Sequence, residues 1–273
     1  MLENFLQEDI GSGDVTSENI IPANTRADAE IVCKSATPAV VSGLEEAALV
    51  FDMCGCSAKP LIGDGSTAKK GKVVMKISGS GRGILKAERT ALNMMMRMSG
   101  ISTETRRLVN MAKGVKILAT RKTAPGLRYF DKKAVVLGRG GAHRMRLDDM
   151  ILIKDNHIAL AGPAAKCVKA ARKNGLRIEC EVRNRKEAIE AANAGANIVM
   201  LDNFTPAQAK SAIKTLEKLG LRQNVKIEIS GGVNSENIRN YASSRPDFIS
   251  LGSLTHSPRA VDFSLEIRRV LRN

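Results

Sequence analysis

Six short apolar runs in the second half of the chain are each followed by polar side chains that could bind or activate a substrate. The runs cover residues 115–119, 150–153, 177–182, 197–201, 225–229 and 248–251. The polar residues at or just beyond their ends are Arg121, Lys122, Lys154, Glu181, Asp202, Ser230, Gly231, Gly232, Gly252, Ser253 and His256. This mixture of cations, carboxylates and glycine turns is typical of a site for a phosphorylated, anionic substrate.

The cations in these segments predict a site for carboxylate groups. Arg121 and Lys122 supply fixed positive charge, and arginine can hold a carboxylate through two parallel hydrogen bonds. A glycine-rich stretch, residues 137–141, leads to His143 and Arg144, which add to the same cluster. All three histidines of the chain fall in segments of this kind: His143, His157 and His256.

Glycine turns and carboxylates in the remaining segments predict contacts with a sugar phosphate. Residues 230–232 (Ser-Gly-Gly) precede a predicted helix and offer backbone N–H groups to a phosphate, with the helix dipole assisting. Residues 252–253 form a second turn of this type. Glu181 and Asp202 follow adjacent strands, where two carboxylates could hold ribose hydroxyls, bind Mg²⁺ or stabilise a developing oxocarbenium ion.

The elements that must position these residues are alternating strands and helices. Helical patterns lie between most of the apolar runs, at residues 163–174, 185–194, 206–219 and 235–241. Such alternation predicts parallel βαβ units, and near-continuous apolar strands predict a sheet buried on both faces. No glycine-rich dinucleotide fingerprint follows the first strand, which favours a closed or nearly closed barrel over an open sheet. In α/β barrels, the strands' carboxyl ends carry the active site.

The first hundred residues lack this regular alternation and predict a separate α+β domain. Strands are expected at residues 27–34, 72–79 and 83–87, a helix at 44–53, and a long helix at 88–113 that Gly100 interrupts.

Composition restricts the possible functions of this chain of 273 residues. The formal net charge is +15, so the expected partner is anionic: nucleic acid, a membrane surface or a small phosphorylated molecule. Aromatic residues make up only 3% of the chain and Trp is absent, which argues against binding of single-stranded nucleic acid by base stacking. The basic residues also lie at strand ends and form no aromatic-flanked stripe, so the small substrate is favoured.

Cysteine usage and hydropathy predict a cytoplasmic protein. The five cysteines are scattered and odd in number, which predicts free thiols in a reducing compartment. Cys54 and Cys56 could bind metal, but no second pair follows at zinc spacing. The sequence also shows no signal peptide and no apolar run long enough to cross a membrane, so no membrane association is expected.

Several stretches, in this order, resemble the quinolinate phosphoribosyltransferase family. The matching stretches are EDIGSGDVTS from Glu8, ERTALNMMMRMSGIST from Glu88, TRKTAPGLR from Thr120, GGAHRMRLDDMILIKDNH from Gly140, ECEV from Glu179, MLDNF from Met200, EISGG from Glu228 and ISLGSLTHS from Ile249. They cover nearly the whole chain, and the TRKT, HR, LIKDNH and LDNF blocks together are specific.

The resemblance implies a two-domain fold and an activity. It implies an N-terminal α/β sandwich over residues 1–103 and an incomplete α/β barrel of about six parallel strands over 104–257. A C-terminal helix at 258–273 is expected to pack back on the sandwich. Members convert quinolinate and phosphoribosyl pyrophosphate into nicotinate mononucleotide, CO₂ and pyrophosphate with Mg²⁺, in de novo NAD biosynthesis. They form homodimers, or larger homo-oligomers, with shared active sites, and this chain is not expected to bind nucleic acid.

The resemblance also implies roles for individual residues. Arg121, Lys122, His143 and Arg144 would bind the carboxylates of quinolinate, and Arg89 would reach the site of a partner subunit. Phosphoribosyl pyrophosphate, its metal or the ribose would contact Lys154, Glu181 and Asp202. The two carboxylates of this set would be the Mg²⁺ ligands, either directly or indirectly. The catalytic residues would be Lys122, Lys154, Glu181 and Asp202. The 5′-phosphate would be surrounded by Ser230, Gly231, Gly232, Gly252, Ser253 and His256.

Departures from the family pattern and other functions stay open at this point. Ala119 stands where the family often has Asp, Arg139 interrupts a run of glycines, and residues 183–186 are unusually basic. A relative that takes nicotinate, or one of unknown substrate linked to molybdate transport, would carry similar motifs. An aldolase-type barrel would need a reactive lysine, for which Lys154 is the candidate. A basic nucleic-acid-binding module is the non-enzymatic alternative.

Overall fold

The computed structural model describes residues 1–271, which form two compact units. The first unit comprises Met1–Glu104, Val136–Gly138 and the segment that begins at Pro258. The second comprises Thr105–Val135 and Arg139–Ser257.

An antiparallel sheet with an apolar core forms the first unit. Its elements are α1 (Leu2–Ile10), α2 (Val15–Ile20), β1 (Arg26–Cys33), β2 (Ala39–Val40), α3 (Leu44–Met53), β3 (Ser57–Pro60), β4 (Thr67–Ala68), β5 (Val73–Ser80), most of α4 (Gly81–Ala112) and β12 (Phe263–Leu271). The main sheet has the order β12-β1-β5-β3, and β2 pairs separately with β4. Phe51 of α3, Met75 of β5 and Ile84 of α4 are fully buried in one core. The predicted strands at 27–34 and 72–79 and the helix at 44–53 are confirmed.

The C-terminal segment is a strand, so the expected helix over 258–273 is wrong. β12 pairs antiparallel with β1 from Phe263↔Cys33 to Leu271↔Arg26. A β-bulge opposite Asp28 and Ala29 shifts the register, so the β12 residues paired with the buried Ile31, Ala29 and Ala27 of β1 are Leu265, Ile267 and then Val270. This shift turns a spacing of two residues into one of three, which imitates helical periodicity. Residues 272 and 273 lie outside the described residues.

The long helix α4 corrects two further expectations. It is continuous from Gly81 to Ala112, so residues 83–87 are helical and Gly100 does not interrupt the helix. Ile84 and Ala87 are buried and lie three positions apart, a spacing that fits one helix face, so this short run did not distinguish helix from strand. A side chain at Gly100 would place its Cβ 1.9 Å from Arg259 O. Glycine is therefore required there for a close backbone approach.

Parallel strands and their connecting helices form the second unit, as predicted. Its strands are β6 (Lys116–Ala119), β7 (Ile151–Ile153), β8 (Ile178–Val182), β9 (Ile198–Asp202), β10 (Lys226–Ser230) and β11 (Phe248–Leu251). The α-helices are α5 (Arg128–Leu137, of which the last two residues belong to the first unit), α6 (Asp155–Ala161), α7 (Ala164–Ala171), α8 (Arg185–Ala194), α9 (Pro206–Lys218), α10 (Ile238–Ala242) and α11 (Ser253–His256), with a 3₁₀ turn at Arg172–Asn174.

The sheet of the second unit is an open barrel. Its order is β6-β11-β10-β9-β8-β7, and every pair is parallel. The first strand of the unit thus pairs with the last, as barrel closure requires. Within the described residues, β6 and β7 share no ladder, and β6 instead makes a single bridge from Leu118 to Gly141. The predicted incomplete barrel of six parallel strands is confirmed.

Candidate active site

One pocket of about 630 Å³ lies at the carboxyl ends of the barrel strands. Thirteen of the fourteen predicted site residues line it: Arg121, Lys122, His143, Arg144, Lys154, Glu181, Asp202, Ser230, Gly231, Gly232, Gly252, Ser253 and His256. The remaining one, Arg89, belongs to α4 in the first unit. Segments up to 135 residues apart in sequence therefore converge at one rim, since parallel strands end on the same side of a barrel.

A lysine–glutamate pair joins two adjacent strand ends. Lys154 Nζ lies 3.3 Å from Glu181 Oε2; the lysine side chain is 47% exposed and the carboxylate is largely buried. Burial raises the pKa of Glu181, and the charge of Asp202 adds to this, while Lys154 opposes it. Asp202 Oδ2 accepts a hydrogen bond of 2.7 Å from Asn203 Nδ2. Glu181 and Asp202 are thus close enough to interact through their charges.

The Ser230-Gly231-Gly232 turn has no room for a side chain at its central residue. Gly231 has a φ of 85°, and a Cβ there would lie 2.2 Å from Asn203 Oδ1. Ser230 follows the register of β10 opposite Asp202, so the turn begins beside the carboxylate. The expected helix dipole is not available at the turn, because α10 starts only at Ile238 and is five residues long. Any anion held here would depend on the backbone N–H groups themselves.

The TRK segment after β6 is held by one hydrogen bond from α11 and by one within the segment. Thr255 Oγ1 donates a 2.8 Å hydrogen bond to Lys122 O. Lys122 N donates to Thr120 Oγ1 at 3.1 Å. Arg121 Nε is buried and has no hydrogen-bond partner among the described residues. Because buried N–H groups are normally hydrogen-bonded, this donor fits an acceptor supplied by a bound anion.

A tight turn of Ala142, His143 and Arg144, hereafter the His-Arg turn, carries two predicted ligands. His143 has a φ of 50°, a left-handed conformation that is uncommon outside glycine and asparagine. Its Nδ1 accepts a 2.7 Å hydrogen bond from the backbone N–H of Arg144. Arg144 is largely buried, and its NH1 donates to Met150 O at 3.3 Å.

Two glutamates that received no role from sequence lie behind this turn. His143 Nε2 is 3.0 Å from Glu179 Oε2 and 3.5 Å from Glu228 Oε2, and both carboxylates are fully buried. Alternate residues of a strand share a face, so Glu179 points inward one layer below Glu181. Both nitrogens of His143 therefore face protein groups, although its ring lines the pocket.

The glutamates alter the protonation of the histidine. Burial alone would lower the pKa of His143, but hydrogen bonding and charge from Glu179 and Glu228 outweigh it and raise the pKa to about 9. Burial raises the pKa of Glu179, and His143 partly offsets this. Since Nδ1 accepts the backbone N–H of Arg144, the ring carries its proton on Nε2, where it faces the carboxylates.

Lys132 is a third residue that sequence reasoning missed. It lies on α5, is 1% exposed, and its Nζ donates to Ala142 O and, at 2.6 Å, to Arg144 O. Burial, followed by the charges of Arg128 and Arg121, lowers its pKa to about 8. The two glutamates could have been found from the sequence, because each is a charged residue inside an otherwise apolar strand. Lys132 gave no such signal, because a lysine in an amphipathic helix is ordinarily solvated.

The three histidines have different surroundings. His157 Nδ1 accepts the backbone N–H of Lys154 at 2.9 Å, which makes it a cap for α6, and it does not line the pocket. His256 lines the pocket, and its Nδ1 lies 2.6 Å from Ser257 Oγ.

Among the described residues, no helix combines the length and apolarity needed to cross a bilayer.

Comparisons with known proteins agree with the geometry. The N-terminal domain model of quinolinate phosphoribosyl transferase matches residues 14–99, and the C-terminal domain model matches residues 101–266. The chain is 42% identical to "Probable nicotinate-nucleotide pyrophosphorylase [carboxylating]" of Methanothermobacter thermautotrophicus, covering 98% of both chains. It is 36% identical to "Nicotinate-nucleotide pyrophosphorylase [carboxylating]" of Mycobacterium leprae, covering 97% of this chain and 95% of that one.

Solved structures show the same likeness. The nicotinate-nucleotide pyrophosphorylase from Francisella tularensis superposes with a TM-score of 0.91 at 34% identity, covering 98% of this chain and 94% of that one. Human nicotinic acid phosphoribosyltransferase, at 13% identity and a TM-score of 0.66, shares the fold alone. Family models matching nearly the whole chain and relatives above 30% identity give the same result: the chain belongs to the quinolinate phosphoribosyltransferase family.

Proposed function

We propose that the protein converts quinolinate and phosphoribosyl pyrophosphate into nicotinate mononucleotide, CO₂ and pyrophosphate, in NAD biosynthesis. The observation that carries this proposal is the convergence of thirteen predicted residues, from all six strand ends and the His-Arg turn, on one pocket. Its lining combines cations for a dicarboxylate with glycine turns for a phosphate. The family relationship supplies the identity of the substrates.

The acid would bind to the cations beside the His-Arg turn. Quinolinate carries two carboxylates, and Arg121, Lys122 and Arg144 provide three fixed positive charges in the same pocket. The buried Arg121 Nε supports this assignment because it needs an acceptor. Both nitrogens of His143 contact protein groups, so we assign His143 a supporting role in place of the predicted direct contact.

The sugar phosphate would lie at the turns after β10 and β11. Ser230, Gly231 and Gly232 line the pocket and would offer their backbone N–H groups, and Gly252 leaves room that a Cβ, 2.9 Å from Lys122 Cδ, would fill. Ser253 and His256 complete this side of the pocket. Together with the cations opposite, this arrangement would fix the ring nitrogen in line with the ribose carbon, and such positioning can supply a large part of the rate.

Mg²⁺ fits the carboxylates of the pocket. Glu181 and Asp202 interact through their charges and offer the oxygen ligands that Mg²⁺ prefers, while substrate phosphates ordinarily complete its coordination. When bound, the ion would offset charge on the leaving pyrophosphate. Metal dependence is a prediction of the proposed function.

The reaction then needs few proton transfers from the protein. The ring nitrogen forms a bond to the ribose carbon as the bond to pyrophosphate breaks. Lys154 would stabilise the departing negative charge, and Glu181 and Asp202 would favour the positive charge that develops on the ribose. The carbon–carbon bond to the 2-carboxylate then breaks, CO₂ leaves, and the ring carbon keeps the electron pair and takes a proton from solvent.

Assembly and location complete the proposal. The ERTALN motif supports a role for Arg89 at the site of a partner subunit, which makes a homodimer the minimum assembly and allows a larger homo-oligomer. A cytoplasmic location, with no nucleic-acid or membrane partner, stays a prediction.

The test is a stoichiometric assay with the purified protein. Quinolinate labelled in its 2-carboxylate is supplied with phosphoribosyl pyrophosphate and Mg²⁺, and CO₂ and pyrophosphate are measured together. We expect equal release of both products, and no release when either the sugar phosphate or Mg²⁺ is omitted. Pyrophosphate release that occurs with nicotinate as the acid, and not with quinolinate, would identify a nicotinate-specific relative. The absence of pyrophosphate release with either acid would reject the proposal.

A further inference from the structure

Lys132 holds both carbonyl groups that flank His143. Its Nζ donates to Ala142 O and to Arg144 O, the residues before and after the histidine in the His-Arg turn. Both carbonyls face one ammonium group, so the backbone on either side of the histidine is held by the same side chain. His143 itself has a φ of 50°. One side chain from α5 thus fixes the backbone of the turn that carries Arg144.

The energetic cost of this lysine indicates more than a packing role. Lys132 is 1% exposed, and a buried ammonium group is costly unless it is well compensated. Most of the charged groups around it are also cations: Arg128 on its own helix, Arg121 after β6 and Arg144 in the turn, with Asp149 as the opposing carboxylate. A carboxylate ligand in the pocket would compensate these clustered positive charges.

We propose that Lys132 is a positioning residue for the acid: it fixes the His-Arg turn so that Arg144 reaches the pocket, and it adds positive charge beneath the substrate's carboxylates. This inference rests on the proposed function. It concerns affinity for the acid alone, since Lys132 contacts the His-Arg turn, whereas the turns at Gly231 and Gly252 follow other strands.

Two substitutions at this position test the inference. Lys132→Met keeps the length of the side chain but removes its charge and donors, so KM for quinolinate should rise at least tenfold. KM for phosphoribosyl pyrophosphate should change less than about threefold. Lys132→Arg keeps charge and donors and should restore most of the affinity. The matched control is Lys214→Met, an exposed lysine on α9 of the same unit, which should change neither constant.

A pH profile separates positioning from simple structural support. Because the pKa of Lys132 is near 8, KM for quinolinate in the unaltered enzyme should rise as the pH increases through 8, while KM for the sugar phosphate stays level. Lys132→Arg should lack this change, since arginine stays charged. His143, with a pKa of about 9, lies in the same turn and titrates in both proteins, so the difference between the unaltered enzyme and Lys132→Arg decides the matter even where Lys132→Met does not fold.

The failing outcomes are distinct. An unchanged quinolinate KM in folded Lys132→Met, equal rises in both constants, or a quinolinate KM that is level from pH 7 to 9 would each overturn the inference. An unaltered protein without decarboxylating activity would instead reject the proposed function.

Discussion

Among the described residues, the first unit buries one charged side chain, Glu46, whereas the second unit buries several. The sheet of the first unit covers a core of Ile31, Phe51 and Met75, all fully buried. The barrel of the second unit buries Glu179, Glu228 and Lys132 among its apolar residues. Apolar burial stabilises a fold, whereas a buried charge costs free energy unless it is paired. We infer that the first core mainly serves stability, and we propose that the charged layer of the barrel serves binding.

Truncating the apolar core should give the largest effect on stability. Phe51→Ala removes a fully buried aromatic side chain and should lower the free energy of unfolding by about 3–5 kcal/mol. Turnover per folded molecule should stay within about threefold. Urea denaturation combined with activity at fixed folded concentration checks both numbers. A loss below about 1 kcal/mol would show that this core does not have the assigned role.

Lys154→Met in the second unit should lower activity and leave stability almost unchanged, the opposite of the result expected for Phe51→Ala. Removing a charge aimed at the leaving group should lower kcat by roughly 10²–10³-fold, equivalent to about 3–4 kcal/mol in the barrier. Its pair with Glu181 is half exposed on the lysine side, so unfolding should change by at most about 1 kcal/mol. Steady-state kinetics and thermal unfolding measure the two effects. A variant that retains full kcat would remove Lys154 from the proposed mechanism.

Glu179→Gln tests the buried charge layer itself. Without this carboxylate, the pKa of His143 should fall from about 9 by at least about one unit, or roughly 1.4 kcal/mol. A raised histidine pKa stabilises the fold fully below about pH 6.5, and this contribution is lost as the pH rises through 9. The variant should lose that stability at lower pH. NMR titration of the three histidines gives the pKa directly, and an unchanged value would exclude the pairing.

The smallest effect is expected on the surface of the barrel. Lys186 lies in the basic stretch that departs from the family pattern, and its exposed side chain forms a 3.9 Å ion pair with Glu190 one helical turn away. Lys186→Ala should change unfolding by less than about 0.5 kcal/mol and kcat/KM by less than twofold. A larger kinetic change would show that the basic stretch influences substrate preference.

The strand ends were predictable from sequence for a physical reason. Parallel strands bring their carboxyl ends to one rim, so polar residues that follow separate apolar runs had to meet once the alternation was recognised. This reasoning placed Arg121, Lys154, Glu181 and Asp202 together before any coordinates.

Contacts that depend on packing were not predictable in this way. Lys132 reaches the His-Arg turn only because α5 lies beside it, and no spacing in the sequence marks that approach. The helix expected at the position of β12 came from the resemblance, and the bulge in β12 breaks the alternation that would have indicated a strand. Gly100 indicated a helix break although its role is to let Arg259 come close. In each case a tertiary contact overrides the local pattern.

Calorimetric binding of two acids tests most directly the claim that the cations of the barrel recognise a dicarboxylate. Quinolinate and nicotinate, which differ by one carboxylate, are titrated into the unaltered protein and into Arg144→Ala. We predict that the unaltered protein binds quinolinate at least about tenfold more tightly, and that Arg144→Ala loses most of this preference while staying folded. Equal affinity for both acids, or a preference that survives loss of Arg144, would contradict the account.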